Sequence, residues 1–216
     1  MARGAFITFE GSEGCGKSTQ VKRLAARLEQ AGRPTLVTRE PGGTAIGEKI
    51  RDLLQFAPES FAMTPETEVL LFAASRAQLV RETIQPALDR GTVVISDRFF
   101  DSTTVYQGVA RKLDRQMIEQ LNRFAVGDCI PDITFVLDVD PKTARLRMKS
   151  PRRTDRMEQE PAAFYEKIGE AYRQLANQEP ARIILIDGSQ SIGQIDNQIW
   201  EIVANRFPSF AAKSKI

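Results

Sequence analysis

Residues 11–18 read GSEGCGKS, a run that matches the pattern G-x-x-x-x-G-K-[ST] and follows the apolar, β-prone segment from Ala5 to Phe9. In this pattern, glycines let successive backbone N–H groups turn inward around phosphate oxygens, and the helix that follows adds its positive dipole. Lys17 can reach the β- and γ-phosphates, and Ser18 can ligate Mg²⁺. The motif therefore predicts a strand, a loop and a helix that together bind a nucleotide.

The rest of the chain alternates strand-like and helix-like segments. Five short β-prone runs lie at residues 5–10, 35–38, 92–96, 133–138 and 182–187. Each is followed by a segment long enough for a helix. This alternation predicts an α/β domain of the P-loop NTPase type, with a five-stranded parallel sheet, helices on both faces, and ligands at the carboxyl ends of the strands. We expect one domain to span residues 1–216.

Several helix boundaries follow from capping residues and apolar spacing. Predicted helices run from residue 17 to 31, from a Thr64–Pro65 start to about Asp89, from an Asp114 cap, over about 162–178, and from a Ser191 cap. Between the fourth strand and the 162–178 helix, residues of about 149–160 are dense in Arg, Asp and Glu. This charged stretch predicts a small lid rather than a packed element.

Composition excludes several classes of chemistry. The chain of 216 residues has no histidine, which leaves carboxylates, lysine, arginine and a hard cation to carry any reaction. Its formal net charge is only +2, so no nucleic-acid partner is expected. Two cysteines and the lack of a long apolar run favour a cytoplasmic protein without a disulfide framework or a membrane span.

Charged residues follow the second and third strands. Arg39 begins the loop at residues 39–44, and its guanidinium can hold a phosphate at two points. The alternative is a solvated arginine in a surface turn. Asp97 ends the apolar run of the third strand, where a phosphate-loop enzyme keeps a carboxylate for the Mg²⁺ shell, and Arg98 follows it. The alternative is a structural ion pair between Asp97 and Arg98.

These blocks together resemble the thymidylate kinase family, in its bacterial form with arginines in the lid. The resemblance covers nearly the whole chain and rests on the phosphate loop, Arg39-Glu40-Pro41-Gly42-Gly43-Thr44, Phe72-x-x-x-Arg76, Asp97-Arg98-Phe99, Ser102-Thr103 with Tyr106-Gln107, and Asp155-Arg156-Met157-Glu158. As in that bacterial form, the centre of the phosphate loop carries Gly14 rather than a basic residue.

The resemblance implies transfer of the γ-phosphoryl group of ATP·Mg²⁺ to dTMP, giving ADP and dTDP for dTTP synthesis. The residues implied around ATP are Gly11, Ser12, Glu13, Gly14, Cys15, Gly16, Lys17, Ser18, Thr19 and Arg147. Ser18 and Asp97 would serve the metal, and Arg39 and Arg98 the acceptor phosphate. No covalent intermediate is needed, because the acceptor phosphate is already ionised and nucleophilic.

The resemblance also implies a binding site for the nucleoside. Glu13 would accept a hydrogen bond from the 3′-hydroxyl, Phe72 would stack on thymine and Arg76 would donate to its O4. Tyr106 would crowd the 2′ position of the sugar. Ser102, Thr103 and Gln107 are polar candidates around the base. Without the resemblance, Phe72 reads as a core residue and Tyr106 as a half-buried packing residue. Glu13 would lie in solvent on the loop, and Ser102, Thr103 and Gln107 would lie at a helix end or in solvent.

Arginines of the lid complete the implied site. One or two of Arg152, Arg153 and Arg156 would close over the transferring group, and Arg147 would lie against adenine. Solvated surface charge is the alternative for each of them. The lid departs from the bacterial pattern by having Pro151 and paired arginines just before Thr154.

Two other functions remain as alternatives at this stage. One is a kinase for another nucleoside or nucleotide, and the other is a nucleotide-dependent switch or assembly ATPase with no small acceptor. The absence of an N-K-x-D guanine-reading motif argues against the switch. The resemblance further implies a homodimer formed through helices packed against one another, with apolar residues of 64–89 and 114–126 as candidates.

Overall fold

The computed structural model describes residues 3–147, 156 and 160–211. Its strands are β1 (Phe6–Glu10), β2 (Thr35–Arg39), β3 (Val93–Asp97), β4 (Ile133–Asp138) and β5 (Ile183–Asp187). They form one parallel sheet in the order β2-β3-β1-β4-β5. The predicted five-stranded parallel sheet is confirmed.

Helices connect successive strands, and two more follow β5. They are α1 (Lys17–Gln30), α2 (Ala45–Gln55), α3 (Pro65–Leu79), α4 (Gln85–Asp89), α5 (Phe100–Thr103), α6 (Arg115–Val126), α7 (Pro141–Arg147), α8 (Ala162–Gln178), α9 (Ile192–Arg206) and α10 (Pro208–Ala211). A π-helical segment, Val80–Ile84, joins α3 to α4, and a second, Thr104–Ala110, continues α5. A short 3₁₀ helix spans Pro58–Ala62.

Alternation of side chains along β1 explains why helices cover both faces of the sheet. Phe6 packs on one face in a cluster with residues of α3, α4 and the segment between them. Ile7 and Phe9 pack on the other face with residues of α1 and α9. All three are fully buried, and burying one such side chain stabilises the fold by about 1.5 to 3 kcal/mol.

The predicted helix starts are confirmed. The side chains of Thr64, Asp114 and Ser191 each accept a hydrogen bond from the backbone N–H three residues later. The helical path from Thr64 does reach Asp89, but the π-helical turn interrupts it. Residues 45–55 carried no helix prediction, yet they form α2, with the Thr44 side chain as its cap.

Strand register brings the carboxyl ends of the strands together. Phe9 of β1 and Arg39 of β2 both lie beside Asp97 of β3. Residues that follow these three strands therefore meet at one edge of the sheet, as expected for a parallel α/β fold. No helix among the described residues is both long and apolar enough to cross a lipid bilayer.

Candidate active site

The loop between β1 and α1 is shaped by glycines. Gly11, Gly14 and Gly16 have φ angles of 130°, 76° and 102°, which L-residues with side chains rarely adopt. At Gly11 a Cβ atom would also lie only 2.6 Å from the carbonyl oxygen of Leu137. This backbone brings the loop to the wall of a cavity of about 820 Å³.

Lys17 lies over this loop. Its Nζ donates to the carbonyl oxygens of Gly11 (3.1 Å) and Ser12 (2.8 Å) and to Sγ of Cys15 (3.6 Å). The Cys15 side chain is 1% exposed and belongs to the core cluster on the α1 face of the sheet. The ammonium group is therefore placed beside the loop, and the buried Cys15 thiol lies between it and the core.

Ser18 and Asp97 come together across the cavity mouth. Oγ of Ser18 donates to Oδ2 of Asp97 at 2.6 Å. Two hard oxygen donors beside a phosphate-binding loop suit Mg²⁺, which is held by few protein ligands and keeps the rest for water and phosphate. The described residues contain no cluster of three acidic, cysteine or histidine side chains for a more completely protein-bound metal.

The cavity also has a basic wall that includes Arg39, Arg51 and Arg98. Arg39 is paired with Glu48 at 2.9 Å, and its side chain is 51% exposed. Nη1 of Arg51 donates to the carbonyl oxygen of Pro41 at 2.9 Å. Arg51 was missed by the sequence analysis because α2 was missed. The Thr44 cap, followed by apolar residues at helical spacing, was the available signal.

Arg98 has a left-handed backbone conformation, with φ of 74°. Its N–H donates to the carbonyl oxygen of Phe9 (2.9 Å), and its own carbonyl oxygen accepts from Oγ of Ser96 (2.7 Å). A non-glycine residue held in this region costs about 1 to 3 kcal/mol, and such residues are concentrated at functional sites. The strain therefore marks Arg98 as a functional candidate independently of its charge.

The guanidinium of Arg98 is bound to Glu13. Nη2 of Arg98 donates to Oε1 of Glu13 at 2.6 Å, and the Tyr106 hydroxyl donates to Oε2 of Glu13 at 2.9 Å. Burial opposes ionisation of Glu13, but Arg98 and Lys17 outweigh it and hold the pKa of this carboxyl below its usual value. Neither a solvated Glu13 nor an Asp97–Arg98 ion pair is found.

A second carboxylate, Glu10, lies fully buried behind Arg98. Its oxygens accept hydrogen bonds from the backbone N–H groups of Phe99 (2.8 Å) and Ser102 (3.2 Å), and from the hydroxyls of Ser102 (2.6 Å) and Tyr172 (2.7 Å). Burial raises the pKa of Glu10. Sequence analysis missed this residue, and an acidic residue ending an apolar strand was its only signal.

A narrow slot adjoins the larger cavity and shares several lining residues with it. The slot is lined by Glu13, Glu40, Pro41, Gln55, Phe72, Arg98, Ser102, Thr103, Tyr106 and Gln107. Phe72 is half-buried there rather than part of the core. The sequence-predicted residues Phe72, Ser102, Thr103, Tyr106 and Gln107 are thus brought together at one place.

Arg76 lies behind the slot and not among its lining residues. Its side chain is 1% exposed, and its guanidinium donates to Glu40 (2.5 Å), Oγ1 of Thr103 (3.0 Å) and Oδ1 of Asn122 (3.2 Å). It therefore supports the wall of the slot through Thr103 and Glu40.

The remaining predicted arginines are in different situations. Arg147 lines the larger cavity and donates to the carbonyl oxygen of Gly188 at 2.9 Å. Arg156 binds the Glu68 carboxylate, and its backbone N–H donates to the carbonyl oxygen of Gln55 at 3.2 Å, so it lies against α2 and α3. Arg152 and Arg153, with the rest of the predicted lid at 149–155 and 157–159, lie outside the described residues.

Comparisons with known proteins agree with this geometry. The family described as Thymidylate kinase matches residues 9–199. A thymidylate kinase of Geobacter sulfurreducens is 46% identical over 95% of this chain and 99% of its own, and one of Chlorobaculum tepidum is 46% identical over 89% and 94%. A crystal structure of thymidylate kinase from Ehrlichia chaffeensis superposes with a TM-score of 0.75, at 33% identity over 93% of this chain and 98% of that one. The family match over most of the sequence, with the phosphate loop and the adjoining slot in place, shows that the chain belongs to the thymidylate kinase family.

Proposed function

We propose that this chain transfers the γ-phosphoryl group of ATP·Mg²⁺ to the 5′-phosphate of dTMP, with the residues of the two cavities in the roles given below. The family catalyses phosphorylation of dTMP in dTTP synthesis and uses ATP as the phosphoryl donor. The observation that carries the assignment of roles is the shared wall of the two cavities. Glu13, Glu40, Gln55 and Arg98 line both.

On the donor side, the phosphate loop and Lys17 would hold the β- and γ-phosphates. Lys17 is within hydrogen-bond distance of two loop carbonyl oxygens, so a bound phosphate would take over donors that are already placed. Arg147 would lie beside the nucleoside of ATP at the outer end of the same cavity.

Ser18 and Asp97 would hold Mg²⁺, Ser18 directly and Asp97 through the water around the ion. Their oxygens lie 2.6 Å apart, which suits one shared cation site. When bound, the ion neutralises charge on the transferred phosphoryl group and on the leaving phosphate.

On the acceptor side, Arg39 and Arg98 would hold the phosphate of dTMP, with Arg51 beside them. Glu13 would take the sugar hydroxyl, Phe72 and Tyr106 would enclose the nucleoside, and Ser102, Thr103 and Gln107 would surround the base. Because both substrates are anionic, the contribution of the chain is alignment and charge stabilisation rather than covalent chemistry. One domain, 1–216, with a lid of about 149–160 supplying Arg152, Arg153 or Arg156, completes the proposal.

The test is an acceptor panel. ADP release should be measured with dTMP, dUMP, dCMP, AMP and thymidine, and dTMP should give the highest kcat/KM. A clear preference for another acceptor would replace this proposal with a kinase of different specificity. ATP hydrolysis that no nucleoside monophosphate affects would favour a nucleotide-dependent switch.

We further propose a homodimer. Large apolar side chains are exposed on α3 and α6, including Leu70 (58%) and Phe124 (78%), and exposed apolar patches are typical of interfaces. Light scattering should give twice the mass of 24.1 kDa, and Phe124→Glu should shift the protein to the mass of one chain.

A cytoplasmic location is proposed as well. Cys15 and Cys129 are both free and buried, which suits a reducing compartment. Cell fractionation should recover the protein with soluble cytoplasmic markers.

A further inference from the structure

Glu68 of α3 is a buried carboxylate next to the proposed base slot. It is 1% exposed and does not line the slot itself. Nε2 of Gln107, whose side chain does line the slot, donates to Oε1 of Glu68 at 2.7 Å. The same carboxylate is therefore in direct contact with a group that faces the proposed position of the base.

Two guanidinium groups fix how Glu68 can bond. Arg111 donates to both of its oxygens at 3.4 Å, and Arg156 donates to Oε2. Guanidinium groups can only donate hydrogen bonds, so both oxygens of Glu68 serve as acceptors. An amide beside such a carboxylate must turn its NH₂ end toward it and its oxygen the other way.

We propose that Glu68 is a specificity-determining positioning residue: by holding the NH₂ group of Gln107, it fixes the amide so that the base slot is offered an acceptor, Oε1. This inference rests on the proposed function of the slot as the base site. The N3–H of thymine is a donor and pairs with such an acceptor, whereas the N3 of cytosine is an acceptor and does not. A buried polar group left unpaired costs about 1 to 3 kcal/mol, so the orientation of one amide discriminates between the two bases.

Substitution Glu68→Gln should invert this arrangement. Nη2 of Arg111 and Nη2 of Arg156 both donate to Oε2, so the amide oxygen of the new side chain would take that position. Its NH₂ group would take the position of Oε1 and face Gln107, with Nε of Arg111 at 3.4 Å as the weaker neighbour. Gln107 would then turn its oxygen toward residue 68 and its NH₂ group toward the slot. The slot would offer a donor, which suits the N3 of cytosine.

The experiment compares kcat/KM for dTMP and for 5-methyl-dCMP, which keeps the methyl group and changes only the hydrogen-bonding edge. The ratio of kcat/KM for dTMP to kcat/KM for 5-methyl-dCMP should be at least tenfold lower in Glu68→Gln than in the unmodified enzyme, because the amide orientation no longer favours thymine. A purely structural role would lower both values together and leave their ratio unchanged. A ratio within twofold of that of the unmodified enzyme overturns the proposal.

The matched control is Glu160→Gln, which removes the 2.6 Å ion pair between Glu160 and Arg111 and leaves Gln107 on Glu68. The kcat/KM ratio of this variant should equal that of the unmodified enzyme. If the ratio falls as much as in Glu68→Gln, the effect comes from the loss of charge alone and the proposal is overturned.

A second variant, Gln107→Met, tests the idea without touching Glu68. It removes the amide at similar volume, and its ratio should also fall at least tenfold. An unchanged ratio overturns the proposal even if Glu68→Gln fails to fold. If the unmodified enzyme turns over dTMP and 5-methyl-dCMP equally well, this inference fails while the kinase activity stands. If it turns over neither, the proposed function itself fails.

Discussion

The phosphate loop consists of eight consecutive residues, 11–18, whose path is set by three glycines, whereas the acceptor side gathers charged side chains from distant parts of the chain: Glu13 of the loop, Glu40 after β2 and Arg98 after β3. On its donor side the loop presents backbone groups, Lys17 and the hydroxyl of Ser18. The acceptor side depends on ion pairs removed from bulk water, partly in Arg98–Glu13 and fully in Arg76–Glu40. The first is a local structure that a short pattern specifies, and the second is a product of tertiary folding.

This difference has an energetic consequence. Removing one partner of a buried pair leaves the other charge without compensation, which costs far more than losing an exposed pair. Substitutions in the buried pairs of the acceptor side should therefore lower stability, whereas substitutions on the donor side should chiefly change nucleotide binding.

The largest expected effect is that of Arg98→Met. We expect kcat/KM for dTMP to fall about 10³-fold, or about 4 kcal/mol, because the acceptor phosphate loses a preorganised cation. The affinity for ATP, measured by calorimetry, should change less than about threefold. The matched variant Lys17→Met should chiefly weaken ATP. An equal loss of ATP affinity in both variants would show that the two sides are not separate.

Next in size is the effect of Arg76→Met on stability. Glu40 would be left as an unpaired carboxylate that is 5% exposed, so the free energy of unfolding in urea should fall by about 3 to 5 kcal/mol. The control is Arg39→Met, whose pair with Glu48 is 51% and 42% exposed and should be worth less than about 1 kcal/mol. Similar losses in the two variants would contradict the contrast between buried and exposed pairs.

The smallest expected effect concerns pH. The pKa of Glu13 is lowered in the folded state, so its ionised form stabilises the fold at pH values above the ordinary value of 4.5, and that contribution is lost as pH falls through the folded pKa. Glu13→Gln should therefore cost about 1.5 kcal/mol near neutral pH, and the difference from the unmodified protein should shrink only below 4.5. Urea unfolding at several pH values checks this. A difference that shrinks on the way down to pH 4.5 would mean that the pKa of Glu13 is not lowered.

Much of the fold follows from local signals. The phosphate motif, the five apolar runs and the caps at Thr64, Asp114 and Ser191 are each decided within a few residues, and the structure contains them all. Such features are readable because backbone geometry and capping depend on near neighbours.

The buried charges could not be predicted in the same way. Glu10, Glu40 and Glu68 look like ordinary surface carboxylates in the sequence, since their partners lie up to 162 residues away along the chain. Only the packing of the sheet and helices makes them neighbours and removes water from them. The left-handed backbone of Arg98 is likewise accompanied by a bond to Phe9 of β1, which is distant in the sequence.

The positive φ of Arg98 has a consequence for attempts to make the enzyme more heat-resistant. Glycine adopts this conformation without steric cost, so Arg98→Gly would relax the main chain while deleting the cation. The same change would leave the Glu13 carboxylate without its partner, so relief of backbone strain is offset by loss of a partly buried ion pair. Glycine at position 98 is therefore no simple route to a higher melting temperature, and stabilising substitutions are better sought away from the two cavities.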